Sequence, residues 1–172
     1  MPLTDTTSQE EYPVAEHGVE KVRELVADEK IAMLTTVGAD GSLQSRPMSL
    51  QEVEFDGDLW FFAEAQGGPA QSIASNPNVN VTTGSGGSWV SIAGRGSVVT
   101  DVAKKKELWN SGAEAWLPQG PEDASVVLIK VDGDSAEYWD TPGAVTTAIS
   151  FVKAKATGER THVGENEKVE LP

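Results

Sequence analysis

Three Asp-Gly steps, Asp40-Gly41, Asp56-Gly57 and Asp132-Gly133, each stand between short apolar runs. That arrangement constrains the fold more than any other feature of the chain. Asp-Gly between such runs is a strong hairpin signal, because Gly accepts the positive φ that tight hairpin turns require. The run over 31–37, Ile-Ala-Met-Leu-Thr-Thr-Val, reads as a buried strand. Residues 43–50 read as its returning partner, with Pro47 tolerated only at an edge or bulge. Residues 59–65 give a third strand, and 79–84 and 89–99 a further pair joined by a Gly/Ser turn. Gly94 and Gly96 in the last of these predict a bulge or a close backbone approach. Residues 125–131 and 135–140 read as two final strands around the turn Asp132-Gly133-Asp134.

Helices are fewer. Val19, Val22, Leu25 and Val26 recur at helical spacing and predict a helix over roughly 18–28. Pro69 suits the first turn of a short helix over 69–76. Residues 101–117 read as one helix with Asp101 as its N-cap, stopped by Pro118-Gln119-Gly120-Pro121. Another short helix is expected over about 144–153, and the polar, turn-rich end, 157–172, is expected to lie over the surface. Six or seven short strands with two or three helices predict a mainly β chain, an antiparallel barrel rather than a parallel βαβ sheet.

At 172 residues the chain suits one domain. We read residues 1–16 as a flexible arm, 17–153 as the barrel domain and 154–172 as a polar tail. Thirteen basic against 27 acidic residues leave a net charge of −14, which repels phosphate backbones and anionic lipid, so neither nucleic acid nor membrane is an expected partner. Cysteine is absent, excluding disulfides, thiolate nucleophiles and Cys-ligated metal. No stretch approaches the ~20 apolar residues of a membrane span, and residues 1–13 lack the pattern of a secretory signal. The expected location is cytoplasmic.

Most familiar catalytic constellations fail on inspection. The two histidines, His17 and His162, lie near opposite ends, far from any packed Ser-His-Asp arrangement. Asp56-Gly57-Asp58 and Asp132-Gly133-Asp134 lack the twelve-residue loop and closing Glu of a calcium site, and read as turns. Gly84-Ser85-Gly86-Gly87-Ser88 runs from strand to strand, without the helix N-terminus that a phosphate loop needs. Five tryptophans, Trp60, Trp89, Trp109, Trp116 and Trp139, are many beside two Tyr and four Phe. Core packing accounts for such residues in general; stacking on a planar cofactor or covering a dimer seam is the sharper alternative.

Several segments together resemble one family. Ala32–Val37, the Asp40-Gly41 turn, Ser45-Arg46-Pro47-Met48, Leu59-Trp60-Phe61-Phe62 and Ile73-Ala74-Ser75-Asn76-Pro77-Asn78-Val79 are similar to the pyridoxamine-phosphate-oxidase-like, flavin-binding split barrels. Leu108-Trp109, Ala115-Trp116-Leu117-Pro118-Gln119-Gly120-Pro121-Glu122-Asp123 and Ala136-Glu137-Tyr138-Trp139-Asp140 resemble its general stress protein branch, as do Ala156-Thr157-Gly158 and Gly164–Val169 near the end. The resemblance covers roughly 17–171. It implies a six-stranded antiparallel split barrel with flanking helices, paired as a homodimer with FMN at the subunit interface; FAD and the deazaflavin F420 are alternative cofactors. It also implies roles. Arg46 would meet the flavin phosphate, Pro47 and Met48 would lie under the ring through their backbone, and Phe61 and Phe62 would run beside it. Trp89 falls near the ring position, and Trp109 and Trp139 would close the cleft or the seam.

The departures matter as much. Pro69 stands where the family places a phosphate-binding lysine, Ala63 where it places a threonine, and Gln51 where true oxidases often keep a second lysine. Gly67 and Gly68, at the start of the expected 69–76 helix, are then the candidates to supply main-chain N–H groups beside Arg46. No side chain is assigned a catalytic role. Three functions follow from this reading: a flavin-dependent oxidoreductase, a stress-associated flavin-binding protein without efficient turnover, and a ligand-free dimeric scaffold. The missing basic clamp argues against true pyridoxamine-phosphate oxidase activity.

Overall fold

The computed structural model describes residues 12–141, 143, 153–158 and 164–172, with side chains described from His17 onward. The expected helix over 144–153 lies almost wholly outside them, as does His162. Helix α1 spans Tyr12–Ala27, beginning well before the expected start at 18. Its buried Val22 and Val26 face the sheet, as their spacing requires. Seven strands follow: β1 (Ile31–Val37), β2 (Leu43–Ser49), β3 (Asp58–Glu64), β4 (Asn78–Ser85), β5 (Ser88–Val99), β6 (Val126–Asp140) and β7 (Glu165–Glu170). Helix α2 (Gly68–Ser75) sits between β3 and β4, and α3 (Val102–Leu108) and α4 (Ser111–Trp116) lie between β5 and β6.

The strands form one antiparallel sheet in the order β2-β1-β4-β5-β6-β3, and β7 also pairs with β6. The sheet curls into a split barrel whose ends meet at one point, where the Gln51 N–H donates to the Trp60 carbonyl at 3.1 Å. Alternate residues fill the interior: Leu34 of β1, Phe61 of β3, Val81 of β4, Val90 and Ile92 of β5, and Ile129 of β6 are all nearly inaccessible. Burying each such side chain contributes about 2 kcal/mol, so this layer supplies most of the cohesion.

The turn glycines divide by physical role. Gly41 has φ of 81°, and Gly86 and Gly87 have 61° and 100°, as hairpin turns require, whereas Gly57, at 110°, turns the chain into β3 without a hairpin, because β2 and β3 do not pair. Gly133 has no positive φ, and here the expected hairpin does not exist: 126–140 is one fifteen-residue strand. Its glycine is needed for space instead, since a Cβ there would lie 2.8 Å from the Gly57 carbonyl oxygen and 2.7 Å from Leu171 Cδ1. Opposite it, the β5–β6 register shifts between Ala93 and Gly94, and a Cβ on Gly94 would lie 2.2 Å from the Asp132 carbonyl oxygen. Gly96 leaves room for Ile73 of α2, whose Cδ1 would stand 3.0 Å from a Cβ. The close approaches expected at Gly94 and Gly96 are therefore present.

Two further expectations need correction. Residues 101–117 form two helices, because Asn110 caps a new start by accepting the Ala113 N–H at 3.0 Å, as Asp101 caps α3 by accepting that of Lys104 at 2.7 Å. Lys105 ties α3 to the start of β6: its buried ammonium donates to the carbonyls of Asp123 at 3.1 Å and Val126 at 2.8 Å. The polar tail includes a strand, β7, which runs along β6 where β3 leaves off, so the sheet has seven strands rather than six. Val169 of β7 is buried against Gly18 of α1, where a Cβ would come within 2.6 Å of its Cγ2.

Candidate functional site

The split between β2 and β3 opens beside a single main-chain hydrogen bond. Leu50 donates its N–H back to Lys30 at 2.9 Å, while Gln51 donates across to Trp60. Backbone groups alternate sides along a strand, so Pro47 and Ser49 also turn theirs toward β3. Pro47 has no N–H to offer, and among the described residues the Gln51–Trp60 bond is the one main-chain bond between the two edges. Counting back from the Gln51–Trp60 bond, Ser49 stands level with Phe62 and Pro47 with Glu64. The result is a slot walled by two incompletely paired strand edges.

At one end of this slot lies Arg46, on β2. Its guanidinium donates to Thr36 Oγ1 at 3.1 Å and to Gln44 Oε1. Both partners are neutral, and no carboxylate among the described residues forms an ion pair with it. The N-terminus of α2 stands against the same group: a Cβ on Gly68 would lie 3.0 Å from Arg46 Nη2 and 3.4 Å from Cζ. A side chain there would push the guanidinium back by a few tenths of an ångström. Helix α2 has no side-chain cap, and its first intrahelical bond is from Gln71 to Gly67. The N–H groups of Gly68 and Ala70 thus lack helical carbonyls. Gly67, expected to contribute a second N–H, instead donates it to the Glu64 carbonyl at 2.9 Å. Arg46, Gly68 and the α2 dipole, worth about half a charge, make a basic cradle fit for a phosphate of nearly two negative charges.

Farther along the slot a cavity of about 910 Å³ opens between the end of β2, the outer face of β3 and the α3–α4 pair. Pro47, Met48, Phe62 and Trp109 all line it. Trp109 packs edge-on against Phe62, with ring centroids 5.1 Å apart and planes at 83°. Gln51 is buried at its floor, accepting from Asn110 Nδ2 at 2.7 Å and donating to the Ser49 carbonyl at 3.1 Å. These bonds fix α4 to the end of β2. The lining charges are Lys30, Glu52 and Glu107. Lys30 bonds Glu52, holding that carboxyl below its usual range, and Glu107 accepts from Lys104 at 2.8 Å. None stands free to move a proton. Among the described residues no group of three or more His, Asp or Glu is placed to hold a metal ion.

Of the expected site residues, the fold thus brings Arg46 and Gly68 together at one end of the slot, and Pro47, Met48, Phe62 and Trp109 around its cavity. Phe61 is wholly buried in the barrel, its side chain turned away from the slot by the alternation of β3. Trp89 and Trp139 are cross-strand partners on the outer face of β5 and β6, 52% and 40% exposed, and neither lines the cavity. Sequence reasoning missed Asn110 and did not place Trp116, which lines the cavity while 82% exposed. Asn-Ser-Gly at 110–112 is a cap-like interruption within an apparent single helix, and that signal was available.

Comparisons with known proteins bear on the family and the fold. A model of the family described as pyridoxamine 5'-phosphate oxidase like matches residues 17–162. Protein bli-3 of Neurospora crassa is 31% identical over an alignment of 121 residues, which covers 63% of this chain and 58% of that relative's length. Among solved structures, general stress protein 26 from Jannaschia sp. CCS1 superposes with a TM-score of 0.73 at 24% identity, over 91% of this chain and 99% of that one. That likeness bears on the fold alone. The general stress FMN/FAD binding protein of Xanthomonas citri is 27% identical, with a TM-score of 0.63 over 72% of this chain and 89% of that one.

Proposed function

The chain belongs to the pyridoxamine 5'-phosphate oxidase-like family, and from that membership we propose that it is a homodimeric, flavin-nucleotide-binding protein of the general stress type, with FMN its cofactor. The observation that carries the reading is the cradle of Arg46 and Gly68, an un-neutralised guanidinium against an uncapped helix N-terminus. Arg46 and the amides of Gly68 and Ala70 hold the phosphate. Pro47 and Met48 on one side, with Phe62 and Trp109 on the other, exclude water and orient the ring by apolar contact. When bound, the isoalloxazine supplies hydride and electron transfer. The protein adds position and a dry environment, because no lining acid or base is free. True pyridoxamine-phosphate oxidation is disfavoured, since Gln51 stands in place of a second lysine and has both ends of its amide engaged.

Pairing of two chains is supported by the outer face of the sheet. Met33, Thr35, Ser45, Asn80, Thr82 and Ser91 form a patch of β2, β1, β4 and β5 without an ionisable group, on a chain of −14. Trp89 and Trp139 flank it. A seam here puts the slot beside the second subunit.

The test is the absorbance spectrum of the purified protein, followed by calorimetric titration of flavin-stripped protein with FMN, FAD and F420. We expect a yellow preparation and a preference for FMN. A colourless protein that gives no heat with any of the three overturns the reading. Anaerobic bleaching by NADH or NADPH separates an oxidoreductase from a binding protein without turnover.

A further inference from the structure

We infer that the cavity beside α4 admits a second planar aromatic molecule, neutral or cationic and free of phosphate, with Trp116 as its stacking surface. The inference rests on the flavin reading above, and it names the class of molecule that the flavin site would meet. A cavity of about 910 Å³ lies near the upper end of the range for a drug-sized ligand. A ring held against Pro47, Met48 and Phe62 leaves the α4 side of it open. Trp116 occupies that side, 82% exposed, on a short helix fixed at its other end by Asn110 and Gln51. An indole presented in this way, at the rim of a cavity and without packing of its own, offers a face to a planar or cationic guest.

Charge decides the class. The only cation in the lining is Lys30, and it is paired with Glu52. The remaining lining charge, the carboxylate of Glu107, is likewise paired, with Lys104. Arg46 lies outside the lining and serves the phosphate cradle. A second ligand bearing phosphate or carboxylate therefore finds no partner here and meets the field of a chain of −14, whereas a cation or neutral ring does not.

The experiment measures the flavin content of the purified dimer by absorbance, then titrates it calorimetrically with three tricyclic probes: N-methylacridinium, phenazine and phenazine-1-carboxylate. The expected ranking puts the cation and the neutral ring at least tenfold tighter than the carboxylate. Trp116→Ala is expected to weaken N-methylacridinium about tenfold without changing flavin content per chain. Equal affinity for all three probes, or an unchanged affinity in Trp116→Ala, overturns the inference. A preparation without flavin counts against the cofactor reading alone, and on that preparation the loss of N-methylacridinium affinity in Trp116→Ala, rather than the ranking, decides the present one.

Discussion

Arg46 carries more of the proposed chemistry than any other residue, and its surroundings leave its charge un-neutralised. Thr36 and Gln44 hold the guanidinium without neutralising it, and Gly68 lets the end of α2 approach it. Charge-assisted hydrogen bonds of this kind contribute roughly 1.5–3 kcal/mol, so Arg46→Ala is expected to weaken FMN binding about tenfold to a hundredfold in calorimetry, with little change in melting temperature. Gly68→Val is expected to act in the same direction by displacing the guanidinium. Pro69→Lys restores both a cation and a missing N–H, and tighter binding is the expected result. If FMN affinity is indifferent to all three changes, the phosphate lies elsewhere. Arg46, Pro47, Met48 and Phe62 were expected at the site only through the resemblance of Ser45-Arg46-Pro47-Met48 and Leu59-Trp60-Phe61-Phe62 to the family. The engagement of Gly67 was not legible, because the contact that engages its N–H is a local turn to Glu64 that spacing alone does not reveal.

The strand β7 is the element whose role is least visible beforehand. Its residues are mostly charged, and only Val169 is buried, so nothing in 165–170 reads as a strand until β6 offers an edge for it. Tyr138 of β6 clasps it, donating its hydroxyl to Glu167 Oε2 at 3.0 Å. Burial, reinforced by that carboxylate, pushes the Tyr138 pKa up from 10.0 to about 12. The raised value means that the folded state keeps a proton that the unfolded chain releases above about pH 10. The contribution is thus complete below pH 10 and is lost as pH rises toward 12. Tyr138→Phe keeps the ring and removes the bond. We expect it to cost about 1 kcal/mol, or about 3 °C in melting temperature. It should also flatten the decline in stability between pH 10 and 12, measured by urea unfolding at each pH. An unchanged alkaline limb argues that the clasp contributes nothing. The merger of 126–140 into one strand is a related lesson: Asp-Gly was read for its turn, whereas Gly133 answers a crowded crossing with Gly57 and Leu171.

At the scale of the whole molecule, an uncharged patch of the sheet, bordered by Glu137 across from Ser91 and Arg95 across from Asn78, stands out on a chain of −14. Such a patch suits a chain that pairs through one face and stays soluble by its others. Introducing charge into the patch tests this directly: Ser91→Arg and Met33→Glu, made separately, are each expected to shift the particle to half its mass in light scattering after size exclusion. Both positions are at least partly solvent-accessible, so the folded barrel should persist by circular dichroism. Retention of the dimer by both variants places the seam elsewhere. A variant that becomes monomeric and also loses flavin would tie the slot to the second subunit.

Binary pattern and turn chemistry alone determined that this chain is an antiparallel barrel, since alternation and positive-φ glycines act through neighbours only a few residues apart. They also placed Arg46 and Pro47 on one strand. Tertiary structure alone decided which strand edges stay unpaired, that Gly68 rather than Gly67 faces the guanidinium, and that Trp109 and Trp116 reach one cavity while Trp89 and Trp139 do not. Those outcomes depend on how far a curved sheet closes and where short helices dock on it. Contacts between residues distant in sequence set both, and no local pattern records them.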